Sequence, residues 1–356
     1  MAKSLLQPSG SPAARTPAPA PPARRAVLAG AGSALPARVF TNDDFPASLN
    51  TSDEWIRTRT GIRERRLAGS EETSCSLALQ AARRAVASSG LAPEEIDLVI
   101  CATVTPDTMV PSNACRVQAG LGCRPVGAFD VNGACTGFVQ GLVIASQFVG
   151  TGACENVLVI GTELLSRTLD YQDRSSCILF GDGAGAVVLS AARAGEGPGG
   201  LRWARLFSDG TKGGLIYMPS HVTHVPPPYF DGHTALPDRG GPHMKIHGRE
   251  VFKFAVRSMI ALVQEALEAV GLDERDRLFL VPHQVNQRII DAALEELPIP
   301  PGRVVLNLDR YGNTSAASIP IALDEALRAG TVGPGDHLLL VAFGGGMTWG
   351  GAIVSL

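Results

Sequence analysis

The sequence predicts an α/β protein made of two copies of one unit, and three observations predict it. First, an apolar stretch at 126–131 suits a buried strand, turns through Asn132, Gly133 and Ala134, and continues as a segment apolar on nearly every side. Such a segment belongs in a core. Second, a helical stretch at 74–89 ends at Gly90-Leu91 and leads into an apolar strand at 98–104. A helical stretch at 251–270 does the same, ending at Gly271-Leu272 and passing through 273–277 to a strand at 278–281. Third, the run from Phe180 through Gly181, Gly183 and Gly185 to Ser190 is echoed by Phe343, Gly344, Gly345 and Gly346 leading to Leu356. Two echoes in the same order point to duplication. The join falls in the Gly-rich stretch 191–200, so the expected units are 26–195 and 196–356, with 1–25 as a separate tail.

Composition bounds the rest. The chain has 356 residues, is 45% hydrophobic and 18% charged, and contains no apolar run of 18 residues. That excludes a membrane-spanning helix and describes a large-cored globular protein. The seven cysteines form no Cys-x-x-Cys pair and stop at Cys177. Neither a disulfide framework nor a zinc site is expected, and reduced thiols in a cytoplasmic setting fit. Residues 1–25 are rich in Pro and Ala, with Lys3, Arg15, Arg24 and Arg25 and no acids. They read as a disordered tail, with a transit peptide as the alternative. Removing those four charges takes the formal charge from −3 to −7, which argues against nonspecific nucleic-acid binding.

In chain order, 26–31 reads as a first strand. Pro36 follows Gly30-Ala31-Gly32 where a helix should open, so no dinucleotide fold is expected. Thr41 to Asp44 and Thr51 to Glu54 offer helix caps, the latter just before Trp55. After the helix at 74–89 and the strand at 98–104 come a helix at 112–119, the strand and helix around Asp130, and a strand at 156–161. The glycines after Phe180 precede a strand, so close packing in a sheet explains them better than a phosphate loop. An irregular stretch at 208–248 holds His221, His224, His233, His243 and His247, read as surface or tunnel residues and not as a metal site.

Cys135 stands where a strand gives way to a helix. There a thiol feels the positive end of the helix dipole, which favours its thiolate. Gly137 and Gly141 cost helix propensity, so a packing reason is expected for them. His283 follows a core strand of the second unit, and strand ends are where α/β proteins bind ligands. Asn313 sits at a tight turn capping the next helix. Cys135, His283 and Asn313 thus lie at element ends in the two units, and a pseudo-dyad would bring such ends together. Arg57, Arg59, Arg63, Arg65 and Arg66 gather positive charge around Trp55, which suits a phosphorylated ligand.

Six motifs in order carry a family resemblance. They are Thr51-Ser52-Asp53-Glu54-Trp55-Ile56 with Thr58-Arg59-Thr60-Gly61-Ile62; Gly133-Ala134-Cys135; Phe180-Gly181-Asp182-Gly183-Ala184-Gly185; Val281-Pro282-His283-Gln284; Gly312-Asn313-Thr314-Ser315-Ala316; and Phe343-Gly344-Gly345-Gly346. From about 26 to 356 the chain resembles the β-ketoacyl-acyl-carrier-protein synthase III enzymes of the thiolase superfamily. The resemblance implies a thiolase-like fold, two α/β halves in an α-β-α-β-α layering, and a homodimer. It implies that Cys135 takes an acyl group from acyl-CoA and that malonyl-acyl-carrier protein then undergoes decarboxylative condensation onto it. His283 and Asn313 would hold the malonyl thioester carbonyl, and the backbone N–H groups of Cys135 and Gly345 would form the oxyanion hole. Trp55, Arg59 and Arg174 would bind coenzyme A, Lys253 and Arg288 would receive the carrier protein, and Val110 and Phe343 would shape the acyl pocket. No resident cofactor, metal, nucleic acid or membrane is implied.

The chain departs from familiar members at Val110, where many have Phe; at Glu295 and Glu296, where lysines occur; and at Arg249, where an Asn is usual. These departures keep open a priming ketosynthase of secondary metabolism. An inactive acyl-binding scaffold is the reading from another class, against which the intact Cys135, His283 and Asn313 stand.

Overall fold

Two sheets with the same strand order form the frame of the structure, a computed structural model that describes residues 24–193, 199–219, 243–272 and 276–356. The first contains β1 (Ala26–Ala34), β2 (Leu98–Ala102), β3 (Gly127–Val131), β4 (Asn156–Leu164) and β5 (Asp182–Ala191), arranged β1-β5-β4-β2-β3. The second contains β6 (Gly200–Ser208), β7 (Leu278–Pro282), β8 (His337–Gly344) and β9 (Thr348–Ser355), arranged β7-β8-β9-β6.

In both sheets the first strand pairs antiparallel with the last, the last antiparallel with the one before it, and that one parallel with the second. The counterpart of β3 is reduced to a single parallel bridge between Leu280 and Val304. Duplication is therefore visible strand by strand.

The helices are α1 (Asp53–Thr60), α2 (Ser74–Ser89), α3 (Asn113–Leu121), α4 (Gly137–Gly150), α5 (Gly248–Val270), α6 (Gln287–Leu294) and α7 (Ser318–Arg328). α2 and α3 cover the outer face of the first sheet, while α5 and α6 cover that of the second. α4 and α7 lie between the sheets, sharing one core with the inner faces of both. This is the five-layer α-β-α-β-α arrangement of the thiolase-like fold.

Local chemistry explains the element ends. Thr73 and Ser76 cap α2 reciprocally, and Gly90, at φ 73°, closes it. Gly137 and Gly141 have the expected packing reason: a Cβ on either would lie 3.0 Å from Ala102 or Val159, so α4 sits hard against β2 and β4.

Some expectations need correction. β6 forms where no element was expected, between the join and the irregular stretch. The described flanks of 208–248 are also more regular than expected: Gly210–Leu215 is a 3-10 helix, and Ile216–Tyr217 pairs with Lys245–Ile246. Most of the tail, the centre of the join, residues 273–275, and the central part of the stretch with His221, His224 and His233 lie outside the described residues. Among the described residues, no helix is long and apolar enough to cross a membrane.

Candidate active site

The site forms where two matching turns meet between the sheets. One, Ala134–Thr136, is a 3-10 turn entering α4; the other, Ser315–Ala317, is a 3-10 turn entering α7. Each begins with a non-glycine residue at positive φ, 46° for Ala134 and 49° for Ser315. Non-glycine residues avoid this region, so such strain marks a place the surroundings over-determine. The turns touch each other and are pressed reciprocally by glycines. A Cβ on Gly344 of β8 would lie 2.8 Å from the Cys135 nitrogen, and one on Gly161 of β4 would lie 2.2 Å from the Ala316 oxygen.

Cys135 is the second residue of its turn and is partly covered. Burial pushes its thiol up to about 12, opposed by a hydrogen bond with the Ser315 side chain. This corrects the expectation that the helix dipole would favour the thiolate. The turn does enter α4, but burial is the largest influence on the thiol and acts in the direction opposite to the one expected from the dipole. At rest Cys135 carries a thiol.

His283 directly follows β7, and its N–H donates to the Val341 carbonyl at 2.7 Å. It is 1% exposed and its ring packs edge-on against Phe343 with centroids 5.8 Å apart. Nδ1 lies 2.8 Å from the Ser318 hydroxyl, while Nε2 is buried without a protein partner. Burial lowers its pKa to about 3, so the imidazole is neutral throughout the physiological range. A buried unpaired ring nitrogen is the kind of vacancy a ligand carbonyl or proton fills.

Asn313 is held to the first unit by its backbone. Its N–H donates to Leu179 O at 2.8 Å, and its carbonyl accepts from Gly181 N–H at 3.1 Å. Its Oδ1 accepts the Ser315 N–H at 2.8 Å, leaving the side-chain N–H groups to offer a ligand. Asn313 therefore shapes the 3-10 turn and does not cap α7, which corrects the expectation of a helix cap.

Ser315 is the hub. It reaches Cys135 by its hydroxyl and Asn313 by its N–H, and its carbonyl accepts the Ser318 hydroxyl at 2.8 Å, on the way to His283.

On α1, Trp55 is flanked by two guanidinium groups, Arg59 at 4.3 Å and Arg174 at 4.9 Å from the ring centroid. Arg174 also donates to Asn50 O at 2.6 Å. Arg65 leaves the expected basic cluster. It is 1% exposed, donates to Asn42 Oδ1 and Ile178 O, and packs over Phe45, so it braces the interior.

Comparison with known proteins decides the family. Residues 129–210 match the model for 3-oxoacyl-[acyl-carrier-protein] synthase III and residues 267–356 its C-terminal counterpart. A β-ketoacyl-[acyl-carrier-protein] synthase III from Xanthomonas campestris is 47% identical over 92% of this chain and 97% of its own length. The chain belongs to the β-ketoacyl-[acyl-carrier-protein] synthase III family. The enzyme of that name from Thermus thermophilus superposes with a TM-score of 0.85 at 45% identity, covering 93% of this chain and 99% of its own. A priming β-ketosynthase of the R1128 polyketide pathway gives 0.84 at 36% identity, covering 94% and 98%.

Within this synthase III family member, Phe343 and Gly345 lie beside the centre, whereas Arg288, Lys253 and Val110 lie on the exposed surface. α6 carries exposed Arg288 and lies against both α5 and α1, where Gly61 abuts Gln287. Exposed Lys253 of α5 lines a shallow groove with Phe252, Val256, Arg257, Ile260 and Glu296. Glu296 makes that groove mixed in sign. Val110 is 88% exposed beside Met109 at 71%. Phe343 is 3% exposed in the second sheet's core, where it buttresses the His283 ring. Gly345 follows β8, and a Cβ there would meet Ala134 and Ile216 at ordinary contact distances, placing it beside the Cys135 turn.

Sequence reasoning missed Ser318 and Glu163 and gave Ser315 no role. Ser315 lay inside a quoted motif, and nothing in the local pattern singled out the other two.

Proposed function

We propose that this synthase III family member initiates fatty-acid synthesis through Cys135, His283 and Asn313. The proposal rests on the meeting of the two strained turns, which sets the Cys135 thiol against Ser315, the residue bonded to Asn313 and, through Ser318, to His283. Cys135 sulfur attacks the carbonyl of an acyl-CoA, the bond to coenzyme A sulfur breaks, and an acyl thioester remains on the enzyme. Malonyl-carrier protein then enters. Its C–CO₂ bond breaks, the electron pair forms an enolate, and the resulting carbon attacks the thioester as Cys135 departs.

His283 and Asn313 hydrogen-bond the malonyl thioester oxygen, where the enolate charge develops. Donors fixed in place before the charge appears stabilise it without reorganising. For His283 this requires a proton on Nε2. The Ser318 hydroxyl has one proton, which it gives to the Ser315 carbonyl; turned instead to Nδ1 it leaves Nε2 protonated, and the Ser315 carbonyl gives up that bond. Backbone N–H groups of Cys135 and Gly345 serve acyl transfer. Trp55, Arg59 and Arg174 bind the nucleotide end of coenzyme A, and Lys253 with Arg288 receives the acidic carrier protein. The exposed Met109-Val110 tip is buried in a homodimer, where Val110 reaches the partner's acyl pocket. Acyl-CoA is a substrate and no resident cofactor takes part.

Intact-mass measurement after incubation with a panel of acyl-CoAs tests this. One acyl adduct is expected, lost in Cys135→Ala; absence of an adduct with every primer refutes the nucleophile assignment.

A further inference from the structure

One buried carboxylate next to the nucleophile has no part in the chemistry above. Glu163 closes to the last residue but one of β4 and is 0% exposed. Its Oε1 accepts from the Ser315 hydroxyl at 3.2 Å. Its Oε2 accepts from the Thr105 hydroxyl at 2.7 Å and the Val104 N–H at 3.2 Å, with Thr103 Oγ1 at 3.5 Å. Every one of these partners is neutral, and no Lys or Arg pairs with it among the described residues. A buried charge without a counter-ion is costly, and groups so placed cluster where proton chemistry is done.

The Ser315 hydroxyl that meets Glu163 is the one that meets the Cys135 thiol. The Cys135 and Ser315 turns touch, so thiol, hydroxyl and carboxylate lie in sequence, with the Ser315 hydroxyl bonded to Glu163. Its middle member is held in place by its strained φ of 49° and by the bonds from its N–H to Asn313 and to its carbonyl from Ser318.

We propose that Glu163 accepts the proton of the Cys135 thiol through the Ser315 hydroxyl during acyl transfer. The inference rests on Cys135 being the nucleophile. The Cys135 proton passes to Ser315 Oγ while the Ser315 proton passes to Glu163. The sulfur keeps the bonding pair and attacks the acyl carbonyl, and coenzyme A leaves as its thiolate to be protonated by water. When condensation later expels Cys135 as a thiolate, the Glu163 proton returns along the same path.

Two facts favour this route over His283. The His283 Nδ1 is engaged by Ser318 and its Nε2 has no protein partner, so neither nitrogen holds the thiol. In addition, an imidazole lowered to about 3 is a poor proton acceptor at neutral pH, whereas burial raises Glu163 to about 7, matched to the task. The other titratable groups on this side are Cys101 of β2, itself faced by Asp107, Asp130 and Cys75, and Asp182 of β5, paired in register with Leu164. Asp182 is taken up by Ser166 and the Ala68 N–H.

The test is single-turnover acylation from acetyl-CoA and hexanoyl-CoA as a function of pH, read by mass at Cys135. For wild type, the rate is expected to rise with pH through a limb near 7 as Glu163 loses its proton. Glu163→Gln should lose that limb and about 10²-fold in rate at pH 7, with the KM for acyl-CoA unchanged. Glu163→Asp should keep the limb at a reduced rate, a rescue that a purely structural role does not predict. A Glu163→Gln protein with the wild-type limb and rate overturns the proposal. If that variant fails to fold, Ser315→Ala carries the test, since it keeps the carboxylate and removes the relay; wild-type acylation there overturns it equally. A wild-type enzyme with no adduct at Cys135 refutes the nucleophile itself, whereas normal acylation insensitive to both substitutions refutes only the relay.

Discussion

The two 3-10 turns share a backbone and differ in chemistry. Ala134-Cys135-Thr136-Gly137 and Ser315-Ala316-Ala317-Ser318 have the same opening φ, the same entry into a central helix, and a glycine of the opposite unit pressed on them. The first carries the thiol; the second carries hydroxyls in its first and fourth places and no thiol in its second. Duplication supplied the geometry twice, and divergence left a thiol in one copy and hydroxyls in the other.

The sharpest way to break this division is to alter the second unit and keep the thiol. His283→Ala should still form the Cys135 adduct but lose about 10²–10³ in condensation with malonyl-carrier protein. Normal condensation would show that the second unit does not stabilise the enolate. The glycines test the geometry. Gly161→Ala places a Cβ 2.2 Å from backbone oxygen and Gly344→Ala one 2.8 Å from backbone nitrogen. Both should destabilise by about 1–3 kcal/mol in denaturant melts, with Gly161→Ala the worse.

A subtler contrast concerns pH. Burial lowers His283 from 6.5 to about 3, so the unfolded chain binds a proton that the folded one refuses, and stability falls as pH drops below 6.5. Burial raises Glu163 from 4.5 to about 7, so the folded chain binds a proton that the unfolded one lacks, and stability falls as pH rises from 4.5 through 7. Between 4.5 and 6.5 the two slopes oppose each other. Relative to wild type, Glu163→Gln should lose about 1.4 kcal/mol for each pH unit of acidification there, and His283→Gln should gain as much. Unfolding free energies across that window with parallel pH dependence in all three proteins would refute the opposition. The smallest effect expected is at the exposed tip: Val110→Phe should leave turnover of short primers intact and reduce that of longer ones, read from product chain lengths.

Much of this was legible in the sequence because it is local. Strand-to-turn transitions mark Cys135 and His283, and the echoed helix ends revealed the duplication. What stayed hidden depends on contacts far apart in the chain. Glu163 looks like any strand residue until Ser315, 152 positions away, closes over it. The thiolate expectation failed for the same reason, since a helix dipole is visible locally and burial is not. β6 was missed because its polar-bearing sequence, with Arg202 and Arg205, lacks the apolar run of the central strands.

The position of α4 and α7 between the sheets also bears on how the chain is made. Each helix needs both sheets to cover it, so a ribosome that has released only the first unit presents an apolar helix with one side bare. Cys135 is at that stage a thiol without Ser315. Completion of the last strand, β9, closes the second sheet over the helix, and the Cys135 and Ser315 turns meet in the same event that ends the exposure.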